Sequence, residues 1–108
     1  MGYAVKLTAD ALYDLENLYE YIVSHDSPAK ADYVLDQIET VINGLSDSPN
    51  RGSIPKELRS VGISDYRELF FKPYRILYRV RADQVFVMLV TDGRRDMQSL
   101  LQRRLLRV

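Results

Sequence analysis

The sequence predicts an α+β fold in which a helical hairpin packs on a small, mainly antiparallel four-stranded sheet, in the order β-α-α-β-β-β-α. Three observations carry that expectation. From residue 8 to residue 45 apolar side chains recur every three or four positions, the spacing of one helix face. From residue 66 to residue 91 the pattern changes to segments rich in aromatic and β-branched residues, split by short turn signals. The 108 residues match the size of one globular domain, and no linker, repeat or low-complexity tract interrupts them, so a single domain over residues 1–108 is expected.

Residues 3–7 read as a short first strand. Thr8 then stands where a helix N-cap belongs, ahead of a stripe of Ala11, Leu12, Leu15, Leu18, Tyr19 and Ile22 that should stop near His25. Ser27 and Pro28 give a second cap with proline at the first helical position, where its missing N–H costs nothing. The second stripe is Ala31, Val34, Leu35, Ile38, Val41, Ile42 and Leu45, ended by the turn-rich run 46–52. Residues 46–64 read as a surface loop with one helical turn around residues 56–60. Strands are expected over residues 66–71, 74–81 and 85–91, joined at Lys72-Pro73 and at Ala82-Asp83-Gln84 into a meander. On the middle strand Tyr74, Ile76, Tyr78 and Val80 alternate with Arg75, Leu77, Arg79 and Arg81. One sheet face should therefore be apolar, seating the hairpin, and the other basic. Asp92-Gly93 forms a turn into a last helix over about residues 95–107, with Met97, Leu100, Leu101, Leu105 and Leu106 as its apolar positions.

Composition narrows the function classes. The longest uncharged stretch is the eight residues 84–91, far short of the roughly 20 apolar residues of a membrane-spanning helix. No apolar leader precedes the first acidic residues, and Lys6 stands where a myristoylation signal wants Ser or Thr, so a soluble, cytoplasmic product with no membrane partner is expected. With no cysteine and one histidine, disulfides, a thiol nucleophile and a cysteine-based zinc site are excluded; no metal and no cofactor are expected. The formal net charge is zero, yet residues 1–50 hold two lysines and no arginine against nine acids, a net of −7, and residues 51–108 carry a net of +7 with eleven arginines. Such segregation suits a face built to meet a polyanion or an acidic protein.

The candidate site is an arginine set. The strand period can bring Arg67, Arg75 and Arg79 together across neighbouring strands, and the end of the last strand adds Arg94 and Arg95. Guanidinium forks bind phosphate and carboxylate bidentately, so this set could hold a phosphate backbone or stabilise the charge of phosphodiester cleavage. The alternative is cross-strand ion pairing, with Glu68 and Asp96 as partners. His25 reads as a cation at a helix C-terminus, ahead of any role as proton shuttle. Tyr74 and Tyr78 fall on the apolar face and read as core, and Met88 and Met97 as core fillers.

The element order, together with Tyr74-Arg75-Ile76-Leu77-Tyr78-Arg79-Val80 and Asp92-Gly93-Arg94-Arg95-Asp96, resembles the RelE/ParE superfamily of bacterial toxins. Pro49, Gly52, Leu58 and Tyr66-Arg67-Glu68-Leu69 extend the likeness over nearly the whole chain. The resemblance implies the toxic half of a toxin–antitoxin pair, as found in plasmid stabilisation, belonging to one of two branches: RelE-like ribosome-dependent mRNA endoribonucleases or ParE-like poisons of DNA gyrase. In the RelE-like pattern Arg75 matches the strand arginine and Arg95 the later one, with Lys56, Glu57 and Arg59 upstream; Glu57 or another carboxylate would be the base. The tyrosine of that pattern falls near Leu101, which cannot transfer a proton. Arg95-Asp96 followed by a leucine-rich helix is similar to the ParE-like branch, which is favoured, with an endoribonuclease acting on the ribosome and mRNA as the alternative. A scaffold that has lost toxicity and only binds its partner is the third reading. The resemblance further implies a cognate antitoxin whose acidic or disordered C-terminal segment wraps the toxin. The basic half would receive that segment, with Leu100, Leu105 or Leu106 lending an apolar groove, although packing is the favoured role of Leu101 and Leu105.

Overall fold

The computed structural model describes residues 2–105; Leu106 and the expected run of the last helix to residue 107 lie outside them. Strand β1 (Ala4–Leu7) leads into helix α1 (Ala9–His25), which begins where Thr8 turns its hydroxyl back to accept the Ala11 N–H at 3.1 Å. The Ser27 hydroxyl caps α2 (Pro28–Asn43) in the same way, accepting the Lys30 N–H at 3.0 Å. Helix α2 ends two residues before the expected Leu45. Gly44, a poor helix former, opens a 3-10 turn over Gly44–Ser46 that still buries Leu45 completely. A single turn, α3 (Lys56–Arg59), interrupts the loop that follows.

Strands β2 (Arg67–Phe71), β3 (Tyr74–Arg81) and β4 (Gln84–Asp92) form the meander, and helix α4 (Met97–Arg104) closes the described chain. The sheet order is β1-β4-β3-β2, with β1 parallel to β4 and the other pairs antiparallel. Helix α4 starts at Met97, two residues later than expected, because Asp96 serves as its cap and accepts the Ser99 N–H at 3.2 Å.

The hairpin packs on one face of the sheet. Ala11, Leu15 and Ile22 of α1 and Val34, Ile38 and Ile42 of α2 meet Ile76, Tyr78, Val85, Val87 and Val90. Tyr78 is fully buried, and its hydroxyl accepts the Gly52 N–H at 2.9 Å, pinning the long loop to the core. Gly52 must lack a side chain there, since a Cβ would lie 2.8 Å from that hydroxyl oxygen.

The opposite face departs from the expected basic surface. Leu77, Leu89 and Tyr66 form a second apolar core with Leu58 of α3 and Met97, Leu100 and Leu101 of α4. A register shift produces part of it: Leu77 pairs with Leu89 and Tyr78 with Val87, so Met88 is an extra residue in β4. Both Met88 and Leu89 therefore turn toward α4. A two-residue period read along a single strand cannot register such an insertion, nor can it say what covers the face.

Candidate functional site

Arg75 lies at the centre of the candidate site, and it is buried. Its Nε donates to Glu68 Oε1 at 2.7 Å from the neighbouring strand, and its two terminal nitrogens donate to both oxygens of Glu57 on α3 at 3.0 and 2.9 Å. The aliphatic stem of Arg75 runs against Gly93, where a Cβ would fall 2.7 Å from the Arg75 Cδ. The hydrogen bond from Arg75 holds the Glu57 carboxyl below the usual carboxylate range. Burial pushes Glu68 the other way, up, in spite of the same guanidinium. Glu57 is thus an ionised structural partner and a poor proton acceptor.

The five arginines do not form one cluster. Arg67 pairs across the ladder with Tyr78, which places it on the hairpin side, opposite Arg75. There it donates to the Gly52 carbonyl at 2.6 Å and binds the long loop. Arg79 shares the Arg75 face but lies beyond Leu77, its guanidinium 5.7 Å from the Tyr66 ring centroid. Arg94 is exposed and grips Asp92 through its Nε at 2.9 Å and its terminal nitrogen. Arg95, also exposed, donates to the Thr91 hydroxyl at 3.3 Å. Arg75 and Arg94 line one groove, shared with Lys56, Arg59, Phe70 and Lys72, and Arg94 also reaches the cleft beside it. Arg94 and Arg95 together line that adjoining cleft against α1, with Asp14, Tyr21 and Tyr74. The expected partner Glu68 does pair with Arg75, whereas Asp96 is spent on capping α4.

Neither His25 nor the Leu101 position supplies a proton-transfer group to this site. His25 Nδ1 lies 2.9 Å from the Tyr21 carbonyl oxygen in the last turn of α1, its ring stacked on Tyr21 at 4.0 Å. Leu101 is buried in the second core. Sequence reasoning missed Phe70 and Lys72; the alternation that placed Arg75 also puts Phe70 beside it across β2 and β3, a signal available only once the register is known. It also missed Asp14, whose carboxylate accepts both terminal nitrogens of Arg104 at 3.0 and 2.9 Å and the Val90 N–H at 3.1 Å.

The family described as the ParE toxin of type II toxin-antitoxin system, parDE, matches residues 5–97. The chain belongs to the ParE toxin family. It is similar to Toxin ParE3 of Caulobacter vibrioides, with 27% identity over 88 residues that cover 82% of this chain and 84% of that protein. Among solved structures it resembles a chain of the chromosomal ParDE TA system from P. aeruginosa, with a TM-score of 0.70, 21% identity and coverage of 83% and 95% of the two chains. It also resembles a mutant of the E. coli toxin RelE in the free state, with a TM-score of 0.63, 18% identity and coverage of 97% and 100%. At those identities the structural likeness speaks to the fold. The family match covers the ParE toxin from β1 to the first residue of α4, including Arg75, Glu57 and Glu68. As a member of a type II toxin–antitoxin family, this ParE toxin has a cognate antitoxin as its partner.

Proposed function

We propose that this ParE toxin arrests growth by binding DNA gyrase and stabilising its cleaved DNA complex, and that the antitoxin neutralises it by laying an acidic segment over the basic half. The observation that favours a binding toxin over a nuclease is the state of Glu57, the carboxylate the RelE-like pattern offers as base. Glu57 is tied to Arg75 by two hydrogen bonds and held in its ionised form below the range useful for accepting a proton near neutral pH. Leu101 offers no second proton-transfer group. In this reading Arg94 and Arg95, both exposed, meet the target, while Arg75 and Arg67 position the groove and the loop. Arg79 lends its charge from the far end of β3.

The experiment is induction in a bacterium without the antitoxin, following thymidine and methionine incorporation over the first minutes, with purified gyrase supercoiling assays in parallel. DNA synthesis should stop first and supercoiling should be inhibited. A collapse of methionine incorporation ahead of DNA synthesis, with cut transcripts, would replace this reading with a ribosome-dependent endoribonuclease.

A further inference from the structure

We propose that Phe70 and the free cations around it form a stacking platform for single-stranded nucleic acid, one that holds a base and its phosphates without cutting the strand. Phe70 sits on the edge strand β2 with 49% of its surface exposed, although its face of the sheet is otherwise largely covered by α3 and α4. The Arg75 guanidinium carbon lies 5.9 Å from the Phe70 ring centroid. Arg75 is itself immobilised by three hydrogen bonds to Glu57 and Glu68. The ring therefore has a rigid cationic backing and remains half open to solvent, so little ordering entropy is lost when a base stacks on it. Arg75 acts here as a positioning residue, since its charge is already answered by two carboxylates.

The charges that would meet phosphates are others. Lys56, Arg59 and Lys72 line the same groove, are exposed, and make no ion pair among the described residues. Arg94 stands at its end. An aromatic platform ringed by unpaired cations fits a flexible strand whose bases are unstacked better than a duplex, whose bases present no free face. Retention without cleavage follows from the engagement of Glu57 with Arg75. The platform rests on this geometry and does not require gyrase to be the cellular target.

The test uses the full-length toxin and short fluorescein-labelled oligothymidylate, oligouridylate and a duplex of equal length, read by anisotropy across a salt series. Saturable binding to single strands, tighter than to the duplex, is expected, with log K falling with log salt at a slope of about −2 for some three phosphate contacts. Phe70→Ala should weaken it about tenfold or more, Phe70→Trp should retain it, and Lys72→Glu should weaken it and flatten the salt slope. The stronger of the two single-stranded probes identifies DNA or RNA as the source of the ligand. Equal affinity for the duplex, indifference to Phe70→Ala, or cleavage of the probe would overturn the proposal. Should Phe70→Ala fold poorly, the Trp and Lys72 variants still decide it. Supercoiling assays on the same proteins separate the two readings: wild type that binds strands yet leaves gyrase active defeats only the gyrase target, and inhibition with binding indifferent to Phe70 defeats only the platform.

Discussion

Arg75 shows how an arginine that reads as a ligand-binding group can be absorbed by structure. Its two carboxylate partners titrate in opposite directions, and the consequences for stability differ in sign. Glu57, held low by its hydrogen bond to Arg75, contributes stability that is fully present above the unfolded carboxylate's titration and is lost as pH falls through its lowered folded value. Glu68, raised by burial, works the other way: folding favours its protonated form, a contribution present in acid and lost as pH rises through its folded value. The stability difference between wild type and Glu57→Gln, measured by urea unfolding, should therefore be largest at about pH 7 and shrink toward about pH 3. A difference that grows in acid would contradict the pairing. Gly93 is the second test at this scale. A Cβ there would sit 2.7 Å from Arg75 Cδ and 3.1 Å from the Pro73 carbonyl oxygen, so Gly93→Ala must push the Arg75 stem aside. A loss of about 1–3 kcal/mol is expected by thermal or chemical unfolding.

Among the elements, α4 is held by more than its apolar stripe. Strand β1 pairs with β4 only as far as Leu7 opposite Val87, which leaves the remainder of that β4 edge without a neighbouring strand. Asp14 from α1 accepts the Val90 N–H, and Arg104 from α4 donates to the Met88 carbonyl at 3.2 Å, while the two side chains bind each other. The pair thus covers open edge groups and ties α4 to α1 across the sheet. Asp14→Ala leaves Arg104 and the Val90 N–H without this partner, and a cost of about 2 kcal/mol is expected. Hydrogen exchange at the Val90 amide should rise with it; unchanged protection there would show that α1 packing alone seals the edge. The elements themselves were legible in the sequence, because caps such as Thr8 and Ser27 and the two periods are local signals. The extra residue at Met88 and the second core beneath α4 were not, since each depends on which strand lies alongside which.

At the scale of the whole molecule, charge follows the architecture. The acids are concentrated on the helical hairpin, and the +7 half supplies the groove cations and the exposed Arg94 and Arg95. A field of that kind steers an acidic partner before contact, an effect on association rate that salt screens over a Debye length of about 8 Å at physiological ionic strength. The double variant Arg94→Glu/Arg95→Glu should slow antitoxin association about tenfold at low salt and much less in concentrated salt, with a smaller change in dissociation rate. Stopped-flow or surface-based kinetics would check it, and an equal loss at high salt would point instead to direct contact in the bound state.

By itself the sequence determined the α+β architecture, the helix caps, the meander and the likeness to RelE/ParE toxins, because these rest on periods and residues close together in the chain. Only the tertiary structure decided which arginines act together. Glu57 and Arg75 are 18 positions apart and meet because α3 folds back beside β3. Arg67, eight positions before Arg75 in the sequence, ends on the other side of the sheet because its register sets it opposite Tyr78. Side-chain alternation specifies a face within one strand; register and loop closure specify whose face it shares.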